Sequence, residues 1–401
     1  MQAGCTTKGD IEERGSARDP LRVGGVVSDI GGLMRLAWLS VSIGGRGSVG
    51  LAKSMAVAWL LGAGIAATVS GAAAQTGRAE LLVVTTVQTE NPTGLSLSLE
   101  LRAVSADGSS ARTVLSGLPD GGWVQFSPDR RSFAFITNTK DLVIVRVDGS
   151  GRNALAPSVA AYAWSAGGKR LAYASAGAHS QIYTIGIDGS APRRLTSSAR
   201  RRTDRFHPFN TLAWSSDGRR IAFTSQRADW KGRPLAGQLF TINSDGKGQK
   251  RLRGLGNFVP EEPAWSPTRQ ELAVGGVVDA GVLLVRPDRG SVGAVYGTRC
   301  CVGVSPTWSP NGTRLAFFGG DASAGYAAGV AQPRRSHATI FKHFAGAVFA
   351  PTWSRNGAKL AFVGCNDRDV CWLYVSDRDG HRIARVPDSQ VRFVKALAWA
   401  P

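Results

Sequence analysis

The chain has 401 residues, a formal net charge of +19, 50 glycines and 11 tryptophans, and only 19% of its residues are charged. That length admits one large all-β domain or two smaller ones, and the glycine and tryptophan content suits many short strands joined by tight turns. The long periodic helices of an α/β enzyme are missing, and the positive charge, most of it beyond residue 75, favours acidic partners: an anionic envelope polymer, lipid headgroups, an acidic protein or nucleic acid.

Residues 1–50 are rich in glycine, mixed in charge and without periodicity. They read as a disordered or mis-called N-terminal extension. Residues 51–74 read as a signal peptide or a membrane anchor. Lys53 precedes an uncharged run from Met55 to Ala74, and Ala72-Ala73-Ala74 before Gln75 offers a small-residue cleavage site. The run is about long enough to span a bilayer but is poor in leucine. A signal this far from Met1 fits a start at Met34 or near Leu51. The folded domain is expected over residues 78–401.

Within that domain one pattern recurs. It reads VQFSPDRRSFAF from Val124, YAWSAGGKRLAY from Tyr162, LAWSSDGRRIAF from Leu212, PAWSPTRQELAV from Pro263, PTWSPNGTRLAF from Pro306 and PTWSRNGAKLAF from Pro351. A truncated copy, LAWAP, ends the sequence. The aromatics Phe126, Trp164, Trp214, Trp265, Trp308, Trp353 and Trp399 are spaced by 38, 50, 51, 43, 45 and 46 residues, close to the roughly 40–50 residues of a four-stranded propeller blade. In each copy the aromatic ends a first strand and is placed to wedge between blades. A Ser-x-Asp/Asn-Gly turn follows, then a second strand, a third, an Asp-Gly turn and a short fourth. Residues 80–118 read as strands two to four of a blade without a first strand, and LAWAP as a first strand without a blade. Pairing them predicts an all-β propeller of seven blades closed by its N- and C-terminal strands; with residues 80–118 as a cap, the alternative is six.

The signature W-S-P-[DN]-G-x-x-[LI]-A-[FY] followed by an Asp-Gly hairpin resembles the TolB-like repeat, a WD40-like repeat common in exported bacterial proteins. The likeness covers roughly residues 80–401. It implies an exported propeller, periplasmic, envelope-bound or secreted, that offers one face to a partner. Members of the TolB type carry a separate α/β domain ahead of the propeller, for which this sequence leaves no room. Propellers host many unrelated activities, so the resemblance speaks to fold more than to function.

Candidate site residues come from the loops that join one blade to the next, which share a face with the channel mouth. Arg200, Arg201, Arg202 and Arg205, beside Phe206 and His207, are placed to grip an anionic group by bidentate hydrogen bonds and stacking, or else form a solvated insertion. Glu261 and Glu262, one blade on, are placed to hold a cation or a basic group near the channel, or to pair with that arginine cluster. His179, His207, His337, His343 and His381 include no H-E-x-x-H pair, so no metal site is expected. No G-x-S-x-G nucleophile elbow and no phosphate loop are present, and no catalytic residue or cofactor is assigned. Cys365 and Cys371 flank a short second-to-third-strand loop and are candidates for a disulfide staple. Cys300 and Cys301 are adjacent, with a vicinal bond, another partner or the reduced state open to them.

The sequence thus favours a monomeric, non-catalytic scaffold binding a protein or an anionic envelope polymer. It gives no sign of specific nucleic-acid binding, and membrane contact is limited to residues 55–74 if they are retained. The alternative is a propeller lyase or hydrolase acting on an anionic carbohydrate or lactone-like substrate, with His207 as acid or base.

Overall fold

A computed structural model describes residues 79–401 apart from 92–93, 178–179, 197–205, 208–210, 229–233, 256–259, 277–281, 297–301, 322–324, 334–336 and 369. Every helix-or-strand element among the described residues is a strand, and the strands form seven antiparallel blades. The first strands of blades 1 to 7 are, in order, Val394–Trp399, Gly121–Phe126, Val159–Trp164, Leu212–Trp214, Pro260–Trp265, Val302–Trp308 and Val348–Trp353. Each lies at the edge of its own blade, and neighbouring first strands touch around the ring, which makes them the innermost. Blades 5 and 6 are joined into one sheet by a single pair, Gly276 with Gly303.

Blade 1 is built from both ends of the domain. Val394–Trp399 pairs antiparallel with Glu80–Asn91, placing Trp399 opposite Leu81 and Leu397 opposite Val83. Gly94–Ser105 and Ala111–Pro119 complete the sheet. The orphan first strand and the incomplete blade therefore find each other, and the six-bladed alternative falls.

The core is divided as the ring is. Seven clusters of buried apolar side chains fill the seven gaps between adjacent blades. The alternation of each strand sends its residues to the two faces of the blade, so each blade feeds two clusters.

The repeat aromatic does more than fill space. The indole N–H groups of Trp164, Trp265, Trp308, Trp353 and Trp399 donate to the carbonyls of Gln125, Ala213, Ala264, Thr307 and Thr352 at 3.2, 3.1, 3.0, 2.9 and 3.1 Å. Every acceptor is the residue just before the aromatic of the preceding blade. A buried indole needs a polar partner for its one donor, and the repeat supplies it from the neighbouring strand. The chain of bonds breaks twice. Phe126 has no donor, and the Trp214 indole N–H, buried, has no partner among the described residues.

The turn after the aromatic is equally regular. Ser127, Ser215, Ser309 and Ser354 hydrogen bond through their hydroxyls to Asp129, Asp217, Asn311 and Asn356. Gly168, Gly218, Gly312 and Gly357 then take positive φ of 68, 69, 65 and 67°, a region open to glycine at no steric cost. In blade 2 that position is Arg130, which also turns left-handed, at φ 62°. Its guanidinium reaches across to donate to the carbonyls of Trp353 at 2.8 Å and Trp399 at 3.2 Å. One side chain from blade 2 thus holds the ends of the innermost strands of blades 7 and 1. Burial and the nearby Arg355 both lower the Arg130 pKa.

Cys365 and Cys371 form a disulfide, with 3.9 Å between their Cα atoms, joining the second and third strands of blade 7. Both sulfurs are buried in the cluster that also holds Trp399, Leu397, Leu81 and Val391. Val391 exchanges two backbone hydrogen bonds with Cys371 at 3.3 and 2.8 Å just before the chain enters the closing strand. Cys300 and Cys301, and the apolar segment 55–74, lie outside the described residues.

Candidate functional site

The site is built from the halves of the innermost strands that precede the repeat aromatic, toward the face where one blade crosses to the next. Three residues before the aromatics stand Ala396, Trp123, Ala161, Thr211, Glu262, Ser305 and Ala350, in blade order. In blades 2, 5, 6 and 7 the pairing with the second strand slips at this point, between Gly122 and Gln125, Pro260 and Pro263, Val304 and Thr307, and Phe349 and Thr352. Each slip inserts backbone that the partner strand does not match. Such bulges bend a strand, re-aim its side chains and recur at barrel rims and beside active sites.

Backbone strain gathers at the same level. Trp123, Ser305 and Ala350 adopt left-handed φ of 57, 49 and 56°. Ser158 and Phe393, each immediately before a first strand, do so at 54 and 50°. Left-handed backbone is uncommon outside glycine and costs of order 1–3 kcal/mol per residue. These residues form a strained collar around the crossover end of the ring.

Glu262 is the acidic member of the collar. It accepts a hydrogen bond from the hydroxyl of Ser305, the residue at the same register in the next blade. The residue keeps some contact with solvent. Protein packed around the carboxyl nonetheless raises its pKa above the ordinary glutamate value; the Ser305 hydrogen bond acts in the opposite direction. Among the described residues no cation pairs with it. Asp120, at the crossover into blade 2, likewise accepts a hydrogen bond from a hydroxyl, that of Thr86 at 3.0 Å. On the same face Phe393 is exposed, at 57% of its full surface.

The residues anticipated from sequence fare unevenly. Arg200, Arg201, Arg202 and Arg205 lie outside the described residues, as does His179. Phe206 and His207 form a two-residue strand opposite Arg227 and Gln226, lengthening the second-strand hairpin of blade 4, where a loop was expected. Glu261 and Glu262 also belong to a strand, Pro260–Trp265, because the bulge lets pairing resume beyond them at Pro260. Ser305 and Trp123 were not anticipated. The available signal was proline: Pro263, Pro306 and Pro351 each stand two residues before the aromatic, and a proline inside a strand marks a place where the ladder needs no N–H.

No family model matches the chain, and no curated protein does. Many solved structures do. The chain is similar to puromycin hydrolase, with 17% identity and a TM-score of 0.57 over 79% of this chain and 54% of that one. It is similar to an oligogalacturonate lyase in complex with manganese, with 12% identity and a TM-score of 0.54 over 77% and 85%. TolB from Acinetobacter baumannii aligns with 16% identity and a TM-score of 0.47 over 80% and 83%. The likeness is one of fold: this chain is a β-propeller. Among the described residues no group of three or more His, Cys, Asp or Glu is placed to hold a metal ion.

Proposed function

We propose that the protein is an exported, non-catalytic scaffold that binds a protein partner, or an anionic envelope polymer, through its crossover face. The observation that supports this reading is the concentration of strain there. Trp123, Ser158, Ser305, Ala350 and Phe393, none of them glycine, hold left-handed backbone in or just before innermost strands, and Phe393 leaves its ring in solvent. A fold accepts such conformations when the surface they shape is used, and an exposed aromatic is the common anchor of a protein interface. The disulfide between Cys365 and Cys371 is consistent with an oxidising compartment. In this reading Arg200, Arg201, Arg202 and Arg205, with Phe206 and His207, dock acidic groups of the partner, and the charge of +19 speeds encounter.

The experiment is a pull-down from envelope fractions with residues 75–401 as bait. The captured partner should be lost with Phe393→Ser, which removes the anchor without touching the core. Replacing the four arginines with glutamine should weaken capture at low salt and flatten its salt dependence. Capture that ignores both changes would remove this face from the binding surface. Processing is expected to leave Gln75 as the first residue, which N-terminal sequencing of exported protein reads directly; a retained segment 1–54 on the exported form is the contrary outcome.

The second reading, a lyase or hydrolase, draws on the fold shared with the oligogalacturonate lyase and the puromycin hydrolase. A screen with anionic glycans and a metal assay distinguish it: turnover together with stoichiometric divalent metal would displace the scaffold reading.

A further inference from the structure

We infer that Glu262 and Ser305 form a receptor for a primary ammonium group at the crossover end of the channel. The inference does not depend on the scaffold reading. It concerns a small cation-binding site within a strongly basic chain, a local reversal of the molecule's overall charge.

Three features of the collar lead to this ligand class. The first is the carboxylate. Glu262 has one neutral partner, Ser305 Oγ, and no cation beside it among the described residues. A carboxylate enclosed by protein is costly unless it is neutralised by a proton or a cation. It retains a path to solvent, so a ligand can supply that charge.

The second feature is the backbone. Bulges at Glu262, Ser305 and Ala350 take part of three consecutive innermost strands out of the ladder. Each is followed by a proline, Pro263, Pro306 and Pro351. Proline keeps a carbonyl and has no N–H. This arc of the collar is therefore richer in hydrogen-bond acceptors than in donors. An anion would find few donors there, while an ammonium, which brings three donors and no acceptor, matches the deficit.

The third feature is the small number of charged oxygens. A calcium ion takes six to eight oxygen ligands, commonly with several carboxylates. Among the described residues no group of three or more His, Cys, Asp or Glu side chains is placed to hold a metal ion. One carboxylate with a hydroxyl suits a singly charged organic cation. The shared chemistry is an alkylammonium, carried by a lysine of a protein segment or by a free amine.

Titration calorimetry of residues 75–401 tests this with two probes: n-butylammonium, and a blocked Gly-Gly-Lys-Gly-Gly peptide. Both should bind, and n-butanol should not. Glu262→Gln keeps the volume and can still accept from Ser305; it should weaken both probes at least about tenfold. A peptide that binds more tightly than butylammonium points to a lysine side chain as the natural ligand, and equal affinity points to a free amine. Should Glu262→Gln fold poorly, the parent protein decides alone. Butylammonium should then shift the backbone amide resonances of Ser305 and Thr307, and butanol should leave them in place. Butylammonium binding unchanged in Glu262→Gln, no binding by the parent, or shifts equal for butanol would each overturn the assignment. Loss of the envelope partner in the pull-down would leave these outcomes unaffected.

Discussion

Glu262 is a group that folding disfavours in its charged form. Its folded pKa lies above the unfolded one, because burial outweighs the Ser305 hydrogen bond, so the folded state holds the proton more tightly. Stability from this group is greatest below the ordinary glutamate range and is lost as pH rises through the folded value. Glu262→Gln should therefore melt above the parent at neutral pH, with the gap closing as pH falls below that range. A glutamine variant that melts lower at neutral pH would mean that the carboxylate has a stabilising cation. Arg130 presents the opposite balance. Replacing it with glycine, the residue at this position in blades 3, 4, 6 and 7, relieves left-handed strain of about 1 kcal/mol. It also removes two charge-assisted bonds to Trp353 and Trp399, each worth about 1.5–3 kcal/mol. Arg130→Gly should lose about 2–5 kcal/mol in urea unfolding, and a gain would show that the bonds are worth less than the strain.

At the scale of strands, the seam between blades 7 and 1 carries three fastenings: the Arg130 bonds, the disulfide and the closing strand itself. Trp399 is buried, and its indole is bonded to Thr352. Truncating it to alanine should cost roughly 3–5 kcal/mol. Deleting Val394–Pro401 should lower the melting temperature of the whole domain; a deletion that melts like the parent would mean that Glu80–Asn91 needs no partner. The disulfide closes a loop of separation six, so replacing both cysteines with serine should cost about 2 kcal/mol by loop entropy, read as a lower urea midpoint. Hydrogen exchange should quicken at Leu397 and Trp399 as well as in blade 7, because the disulfide shares their cluster. Elsewhere ion pairs join neighbouring blades, Arg220 to Asp288 at 2.5 Å and Arg314 to Asp379 at 2.7 Å. Most of this level was readable in advance. Aromatic spacing, serine turns and Asp-Gly hairpins are local patterns, and residues 80–118, which read as a blade without a first strand, pointed to the strand of Trp399. The collar was not readable in the same way. A bulge is a one-residue offset between two strands, and neither strand shows it alone. Pairing Glu262 with Ser305 requires laying one repeat over the next, where each stands three residues before its tryptophan. Arg130 could be seen only as a missing glycine, since its acceptors lie 223 and 269 residues away.

Taken as a whole, the ring has no independent first or last piece. Each gap between blades has its own apolar cluster, and the blade made from residues 80–119 also needs the strand that ends at Trp399. This bears on how the chain is made. Ribosomal synthesis at about 5–20 residues per second separates Leu81 from its partner Trp399 by roughly 15–60 s. For that interval Glu80–Asn91 offers an unpaired edge rich in Leu, Val and Thr, the kind of template that recruits strands from other chains. The domain cannot close before its final residues have been polymerised, so a nascent or prematurely terminated chain is an open ring with a sticky margin. Whatever holds that margin until the last strand arrives, whether a holdase or slow dilution, governs how much of the protein reaches its closed form.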